Sequence, residues 1–350
     1  MTAGCAVGRG LRMKILVTGV SGFLGSQFAR FALANGASVV GCDMDDAFGR
    51  LVQSGLAREG DFEFVKLDLC DAEPQLPGDI SHIVHLAALA HVDYSVAFPE
   101  KVLTNNLNST LTILRIARTR KVPVVFSSSV EVYGGLEIKV FSEDDTRFGL
   151  SAYALSKIRC EDLCLHFKRH FDVPTTILRL TNLFGPWQSP DRVIPRVIMR
   201  GLEYLEMWAD LYRTRDFVYV DDAVRAIWLV TQCQTISGTY NISSGTPRRI
   251  SDVVMQVGCA LGVPHLVAVQ NGQRQDGRGT HLSSCSDRAK VDLGWHVEHG
   301  FADALAATVA WYADHRAWTN QFLDSIASND PSTYVVDKLR YQGRCPSDSV

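Results

Sequence analysis

The chain has little of what marks several protein classes. No apolar run reaches the roughly 18 residues that a membrane-spanning helix needs, and the opening MTAGCAVGRGLR lacks the apolar centre of a signal peptide. Neither charge is in excess: 35 basic side chains stand against 38 acidic ones, for a formal net charge of −3. That balance excludes a general attraction for nucleic acid or an anionic membrane, so any anion site must be local. Nine cysteines occur, at 5, 42, 70, 160, 164, 233, 259, 285 and 345, but none forms a CxxC pair. Cys160 and Cys164 lie one helical turn apart, with no second pair or close histidine to complete a zinc set, so no metal is expected. Reduced cysteines in a cytoplasmic protein are the expectation. Internal repeats and low-complexity segments are absent too.

What is there suits a large α/β unit. With 350 residues, 46% hydrophobic and 21% charged, the chain can bury a sizeable core. KILVTG (Lys14–Gly19) is a short apolar run ending in glycine, SQFARFALANG follows with helical spacing, and SVVGCD is a second strand. Further strands are predicted at FEFVKLD, HIVHLAA, PVVFSSS and TTILRL, with helices over Asn105–Arg120 and Ala152–Phe171. The alternation predicts a Rossmann-like doubly wound parallel sheet over 13–180. Beyond Leu180 the pattern loosens into a smaller, interleaved substrate-binding lobe over 181–330, with segments from about 214–245 returning to the sheet. Residues 1–12 and 331–350 read as extensions, with Met13 as a natural start.

TGVSGFLG places Gly19, Gly22 and Gly25 between strand and helix. Glycine lets the backbone turn tightly and approach a pyrophosphate, which the free N–H groups of the helix N-terminus then hold. Asp43, eighteen residues after Gly25, ends the second strand. A carboxylate there accepts from the adenosine ribose hydroxyls and repels the extra phosphate of NADP. Met44, Asp45 and Asp46 follow, offering that phosphate no cation, so NAD is the expected cofactor. Asp68, after the third strand, is within reach of the adenine amino group, or simply ends a strand.

SAYALSK places Tyr153 and Lys157 four residues apart, on one helix face. Alone, the pattern is ordinary surface decoration. It gains meaning from the glycine turn, from Ser129 at the end of a strand, and from HLAALAH where a nicotinamide ribose could sit. Removing hydride from a carbinol needs a base for the hydroxyl proton. A tyrosine serves if a nearby ammonium and a positive nicotinamide ring favour its phenolate.

The ordered set TGVSGFLG, HLAA, NNLNST, FSSSVEVYG, YALSK, RLTNLFGP, RDFVYVDD and LGW resembles the extended short-chain dehydrogenase/reductase family, in particular its NAD-dependent nucleotide-sugar epimerases and dehydratases. The likeness runs from about Met13 to Ile326. It implies Ser129, Tyr153 and Lys157 as the catalytic residues. Phe23, Leu24, Gly25, Leu69, Leu86, Ala87 and Ala88 would line the cofactor, and Asn106 would complete a relay or structural site beneath the nicotinamide. Asn182 would contact the sugar or its diphosphate, Arg215 a phosphate, and Arg278 (with Arg274 as rival) a second phosphate. It also implies a homodimer through the Asn105–Arg120 and Ala152–Phe171 helices, with Leu111, Leu114 and Leu163 compatible with that surface and equally with packing inside one subunit.

These enzymes begin by oxidising a sugar C4 hydroxyl. The 4,6-dehydratases carry Thr-Asp-Glu where this chain has Ser129, Val130 and Glu131, so half of their acid pair is missing. The decarboxylases carry a different stretch before the tyrosine. A 4-epimerase needs no additional acid, and is the expected activity, on UDP-glucuronate/UDP-galacturonate or UDP-glucose/UDP-galactose. A dehydratase or decarboxylase using Glu131 is the alternative, and a non-catalytic NAD-binding module a third. GPWQSPDRVIP resembles a stretch of the 4-epimerases but has Ser189 for its arginine, leaving Arg192 to face a C6 carboxylate. Ser127, Ser128 and Thr181 are further candidates around C6. WADLYRTRDF departs from the family's YGDGxQxRDF, so the base is open.

Overall fold

A computed structural model of the protein describes residues 13–321, apart from 47–48, 72–75, 137–138, 204–206, 210, 234–235, 264–267 and 271–280. Seven parallel strands form the central sheet: β1 Lys14–Thr18, β2 Ser38–Asp43, β3 Phe62–Lys66, β4 His82–His85, β5 Val124–Ser129, β6 Thr175–Leu180 and β7 Thr239–Ile242. Their order across the sheet is β7-β6-β5-β4-β1-β2-β3. The order reverses between β1 and β4, and in such sheets the crevice beyond the strand ends at that reversal is where a dinucleotide sits.

The inner strands are apolar on both faces because helices cover both. Ile15, Val17, Val39, Val84, Val125 and Leu178 share one core with α1 (Phe23–Ala34) and α5 (Val220–Gln232). Leu16, Val40, Ile83, Val124, Phe126 and Ile177 share the other, against α2 (Pro99–Arg120) and α3 (Ala152–Phe171). The strict alternation is the two-residue period of a strand. α2 starts six residues before the predicted Asn105, at Pro99, where proline suits a first helical turn.

The lobe has its own core, built on α4 (Val193–Leu202), α6 (Ile250–Ala260) and α7 (Phe301–Asp314) with Trp187 and Trp318. It is joined to the sheet by returning chain. Strand Phe217–Tyr219 pairs with Asn182–Phe184, α5 packs on α1, and β7 closes the sheet edge beside β6. Asp216 staples these pieces. Its wholly buried carboxylate accepts from Ser243 Oγ (2.5 Å), Ser244 N (3.0 Å), Ser244 Oγ (2.6 Å) and Gly245 N (2.8 Å).

Two expectations change. Cys233, at the end of α5, is disulfide-bonded, and its partner is not among the described residues; Cys42, Cys70, Cys160, Cys164, Cys259 and Cys285 are free. A half-buried helix end can be reached by another segment, which the paired-spacing test for disulfides does not see. Leu114 is fully buried in the sheet core and so does not serve an outer face, whereas Leu163 is half-buried against that core and Leu111 is exposed. Among the described residues no helix is long and apolar enough to cross a membrane, and no acidic, histidine and cysteine cluster could hold a metal.

Substituting Asp216 by alanine removes the buried acceptor that four donors share. The expected loss is about 3 kcal/mol of unfolding free energy, read by urea denaturation. A loss below about 1 kcal/mol would show that the staple is dispensable.

Candidate functional site

β1 runs into the glycine turn. Gly19 has φ of 70°, and a Cβ there would lie 2.7 Å from the backbone nitrogen of Ala87; a Cβ on Gly25 would lie 2.1 Å from Gly19 O. The turn and the end of β4 therefore touch through backbone alone. α1 begins after Gly22 with no side-chain cap, so the N–H groups of Phe23, Leu24 and Gly25 form its first turn. The side chains of Phe23 and Leu24 are half-buried and pack against the core.

A groove of about 280 Å³ opens here, lined by Gly19, Ser21, Gly22, Asp43, Asp68, Leu69, Leu86, Ala87 and Ala88 among others. Asp43 Oδ2 accepts from Ser21 N at 3.0 Å and Oδ1 from Met44 N at 2.9 Å. Burial raises its pKa to about 6, helped by Asp45 and Asp46 and opposed by those two backbone bonds. Asp68 Oδ1 accepts from Cys70 N at 2.8 Å, which closes its turn. An uncapped helix end, a backbone cradle that any Cβ would fill and a carboxylate at the far strand end together fit a dinucleotide.

The groove also contains Arg50, which the sequence reading passed over. It is buried, donating Nε to Trp187 O and NH1 to Ser21 O, both at 3.0 Å. Burial lowers its pKa to about 10. This cation ties the glycine turn to the lobe.

At the reaction end, Ser129, Tyr153 and Lys157 come together and are all buried. The Ser129 hydroxyl lies close enough to Tyr153 to favour its phenolate. Lys157 Nζ donates to Ser127 O at 2.8 Å and lies 6.0 Å from the Tyr153 ring centre. Burial raises the Tyr153 phenol to about 12; Ser129 and then the Arg192 charge oppose this, and Glu131 adds to it. Burial lowers the Lys157 ammonium. Glu131 and Arg192 thus both act on the Tyr153 hydroxyl. Glu131 sits in the short helical turn Val130–Tyr133, its N–H capped by Ser129 Oγ at 3.2 Å. Arg192 precedes α4 and reaches Ala90 O at 3.4 Å. Beside it Asp191 pairs with His91 at 2.8 Å.

Asn106 is a strap. Its Nδ2 donates to Ser156 Oγ (2.9 Å) and Leu89 O (3.2 Å), and its Oδ1 accepts from Leu89 N (2.8 Å). His85, not anticipated, is buried between Thr18 Oγ1 (2.7 Å) and Thr110 Oγ1 (3.2 Å). Burial, and next Lys157, lower its pKa to about 3, so it is a neutral brace under the Ala87 turn.

The remaining candidates have partners within the protein. Ser128 does not face the sugar site: alternation along β5 directs it to α3, where Oγ donates to Glu161 Oε1 at 2.5 Å. The Thr181 hydroxyl and the Asn182 amide both donate to Asp216 O, at 3.0 and 3.1 Å. Arg215 is buried and donates to Thr214 O at 2.8 Å. Arg274 and Arg278 lie outside the described residues.

Comparison with known proteins bears on this geometry. A profile of the NAD dependent epimerase/dehydratase family matches residues 15–243. The chain is 30% identical to dTDP-glucose 4,6-dehydratase 1 of Escherichia coli K12, over 95% of this chain and 100% of that one. It is 32% identical to the low-salt glycan biosynthesis protein Agl12 of Haloferax volcanii, over 86% and 98%. Most such relatives are dTDP-glucose 4,6-dehydratases. Among solved structures, the dTDP-glucose 4,6-dehydratase DesIV of Streptomyces venezuelae, with NAD bound, superposes with a TM-score of 0.83 at 29% identity, covering 89% of this chain and 100% of that one. UDP-glucuronic acid 4-epimerase of Bacillus cereus, with NAD and UDP-glucuronic acid, gives 0.81 at 27% identity, covering 86% and 99%.

The Asp43 shift has a readable consequence for NAD. A carboxyl that titrates near 6 in the free protein is protonated below that pH and loses its capacity to accept from ribose hydroxyls. NAD affinity should therefore fall as pH drops through about 6, by up to about tenfold per unit, in calorimetric titrations. Asp43→Asn should bind weakly with a flat profile; a sloping profile in that variant would remove Asp43 as the cause. The same raised pKa makes the cofactor-free fold lose stability as pH rises between 3.8 and about 6.

Proposed function

The chain belongs to the NAD dependent epimerase/dehydratase family, and within it we propose that it is a 4,6-dehydratase of a nucleoside-diphosphate hexose, with Glu131 as its acid–base residue. The observation that carries this reading is the place of Glu131, a carboxylate two residues after Ser129 in the short helical turn that Ser129 Oγ caps. The predominance of dTDP-glucose 4,6-dehydratases among the relatives supports it. It replaces the 4-epimerase expectation as the main reading.

NAD, when bound, supplies the hydride acceptor for C4 and later the donor to C6. The residues do the rest. Ser129 orients the C4 hydroxyl and Tyr153 takes its proton. Burial holds the phenol high, so the positive nicotinamide and Lys157 must bring it down. The C4 ketone then acidifies C5. Glu131 takes the C5 proton, the C5–C6 double bond forms, and the C6–O bond breaks. Glu131 hands its proton to the departing oxygen, which leaves as water, and ends as the carboxylate it began as. C5 then takes a proton from solvent while Tyr153 releases to solvent the one it took from the C4 hydroxyl, which completes the sequence. One carboxyl serves both transfers because position 130 is valine.

That valine supports a second reading, 4-epimerisation. Val130 is buried with Val132, Tyr133, Phe141 and Ile158, an environment that carries no proton. Arg192, next to Tyr153, would then be the residue to face a C6 carboxylate. Phosphate binding by Arg215, and by Arg278 or Arg274, belongs to both readings. So does a homodimer through α2 and α3, whose exposed Leu111, Leu155 and Leu165 support it.

The test is mass spectrometry after incubation with dTDP-glucose, UDP-glucose and UDP-glucuronate in heavy water. Loss of water with deuterium at C5 is expected. Glu131→Gln should slow that loss by at least about 100-fold while still reducing bound NAD. A new epimer of unchanged mass without deuterium would establish the second reading instead.

A further inference from the structure

Tyr153, Lys157 and Glu161 follow one another at four-residue steps on α3, about 6 Å apart along its axis, and all are buried. Tyr153 meets Ser129, Lys157 meets Ser127 O, and Glu161 meets Ser128 Oγ. Three consecutive residues at the end of β5 thereby face three successive turns of α3, two of them through hydrogen bonds. The chemistry above uses the first two ties and leaves the third without a role.

Glu161 is wholly buried and each of its oxygens takes two donors. Oε1 accepts from Ser128 Oγ (2.5 Å) and Arg179 Nε (3.0 Å). Oε2 accepts from Arg179 NH2 (2.7 Å) and Arg147 NH1 (3.1 Å). Arg179, on β6, carries the network onward: NH1 donates to Tyr133 OH at 2.7 Å, and that hydroxyl donates to Asn241 Oδ1 at 2.7 Å. Ser128 and Tyr133 bracket the segment that holds Ser129 and Glu131.

Cys160, Cys164 and Phe167 already bury α3 against the sheet. Such apolar contact is non-directional and does not set an axial register. A bidentate charged pair does, although burying it is costly. We infer that the Glu161–Arg179 pair is a positioning device: it clamps the Ser128–Tyr133 segment at both ends and so fixes Ser129 and Glu131 against Tyr153. The inference rests on the reading of those three residues as the groups that meet the sugar.

The test uses Ser128→Ala, Ser128→Thr and Tyr133→Phe in the NAD-loaded full chain. All three keep the Glu161–Arg179 pair, so they should fold, as thermal unfolding will record. Ser128→Ala should slow single-turnover nicotinamide reduction by about 10- to 100-fold with KM unchanged. Tyr133→Phe should do the same, and Ser128→Thr should recover most of the rate. A lowered melting temperature with an unchanged rate per folded molecule would overturn the inference.

A second readout needs no turnover. Fluorinated tyrosine brings the phenol titration into a mild pH range, where fluorine NMR follows it, with Tyr153→Phe assigning the line. The charged and titratable groups that face Tyr153 are Lys157 and Cys160 on its own helix, Glu131 on the following turn of β5, and Arg192 on the lobe. None is altered by Ser128→Ala, so an upward move of the midpoint would report a lost Ser129 contact. An unmoved midpoint overturns the clamp. A moved midpoint in a protein that reduces no nicotinamide with any nucleotide hexose would sink the functional reading and leave the clamp standing.

Discussion

The register of α3 against β5 is the constraint on which the rest depends. A parallel sheet covered on both faces brings strand ends and helix starts together at one rim, and the chemistry is assembled there. Ser129 comes from the last position of β5 and Tyr153 from the second residue of α3. Neither is useful unless the two elements keep their offset to within a fraction of an ångström. The offset is held by polar ties laid in sequence along the helix, with apolar packing supplying the bulk of the contact.

Burial sets the electrostatics at both ends of the site. It raises Asp43 and Tyr153 and lowers Lys157 and His85. Without cofactor, each group is pushed toward its neutral form. A dinucleotide seated as proposed would bring hydroxyls to Asp43 and positive charge toward Tyr153, and so would reverse the bias at both places. His85 is the exception: its neutral ring is enclosed by two threonine hydroxyls and supports the backbone at Ala87.

Much of this was legible because it is local. The glycine turn, the Asp43 strand end and the Tyr153–Lys157 spacing each lie within one β-α step, where period and turn chemistry speak directly. Ser128 was misjudged because three serines in a row give no hydropathy alternation, and the phase of the strand is set upstream by residues that are all apolar. Arg50, His85 and the Glu161–Arg179–Arg147 cluster were missed because their partners are distant in sequence and meet only in the fold. Val130 was legible and pulled the reading toward an epimerase, while the more informative neighbour was Glu131. The Cys233 disulfide had no spacing signature at all.

Arg50 gives the molecule one property beyond anchorage. One guanidinium holds a carbonyl of the glycine turn and a carbonyl at the root of the smaller lobe. Strain on either side is therefore felt on the other. Such linkage is reciprocal by thermodynamic necessity: to whatever degree a seated dinucleotide tightens the hold on the sugar nucleotide, the sugar nucleotide tightens the hold on the dinucleotide. Under the function proposed above, a cofactor that must stay between the removal and the return of a hydride would gain retention while the sugar is aboard, from a single buried side chain.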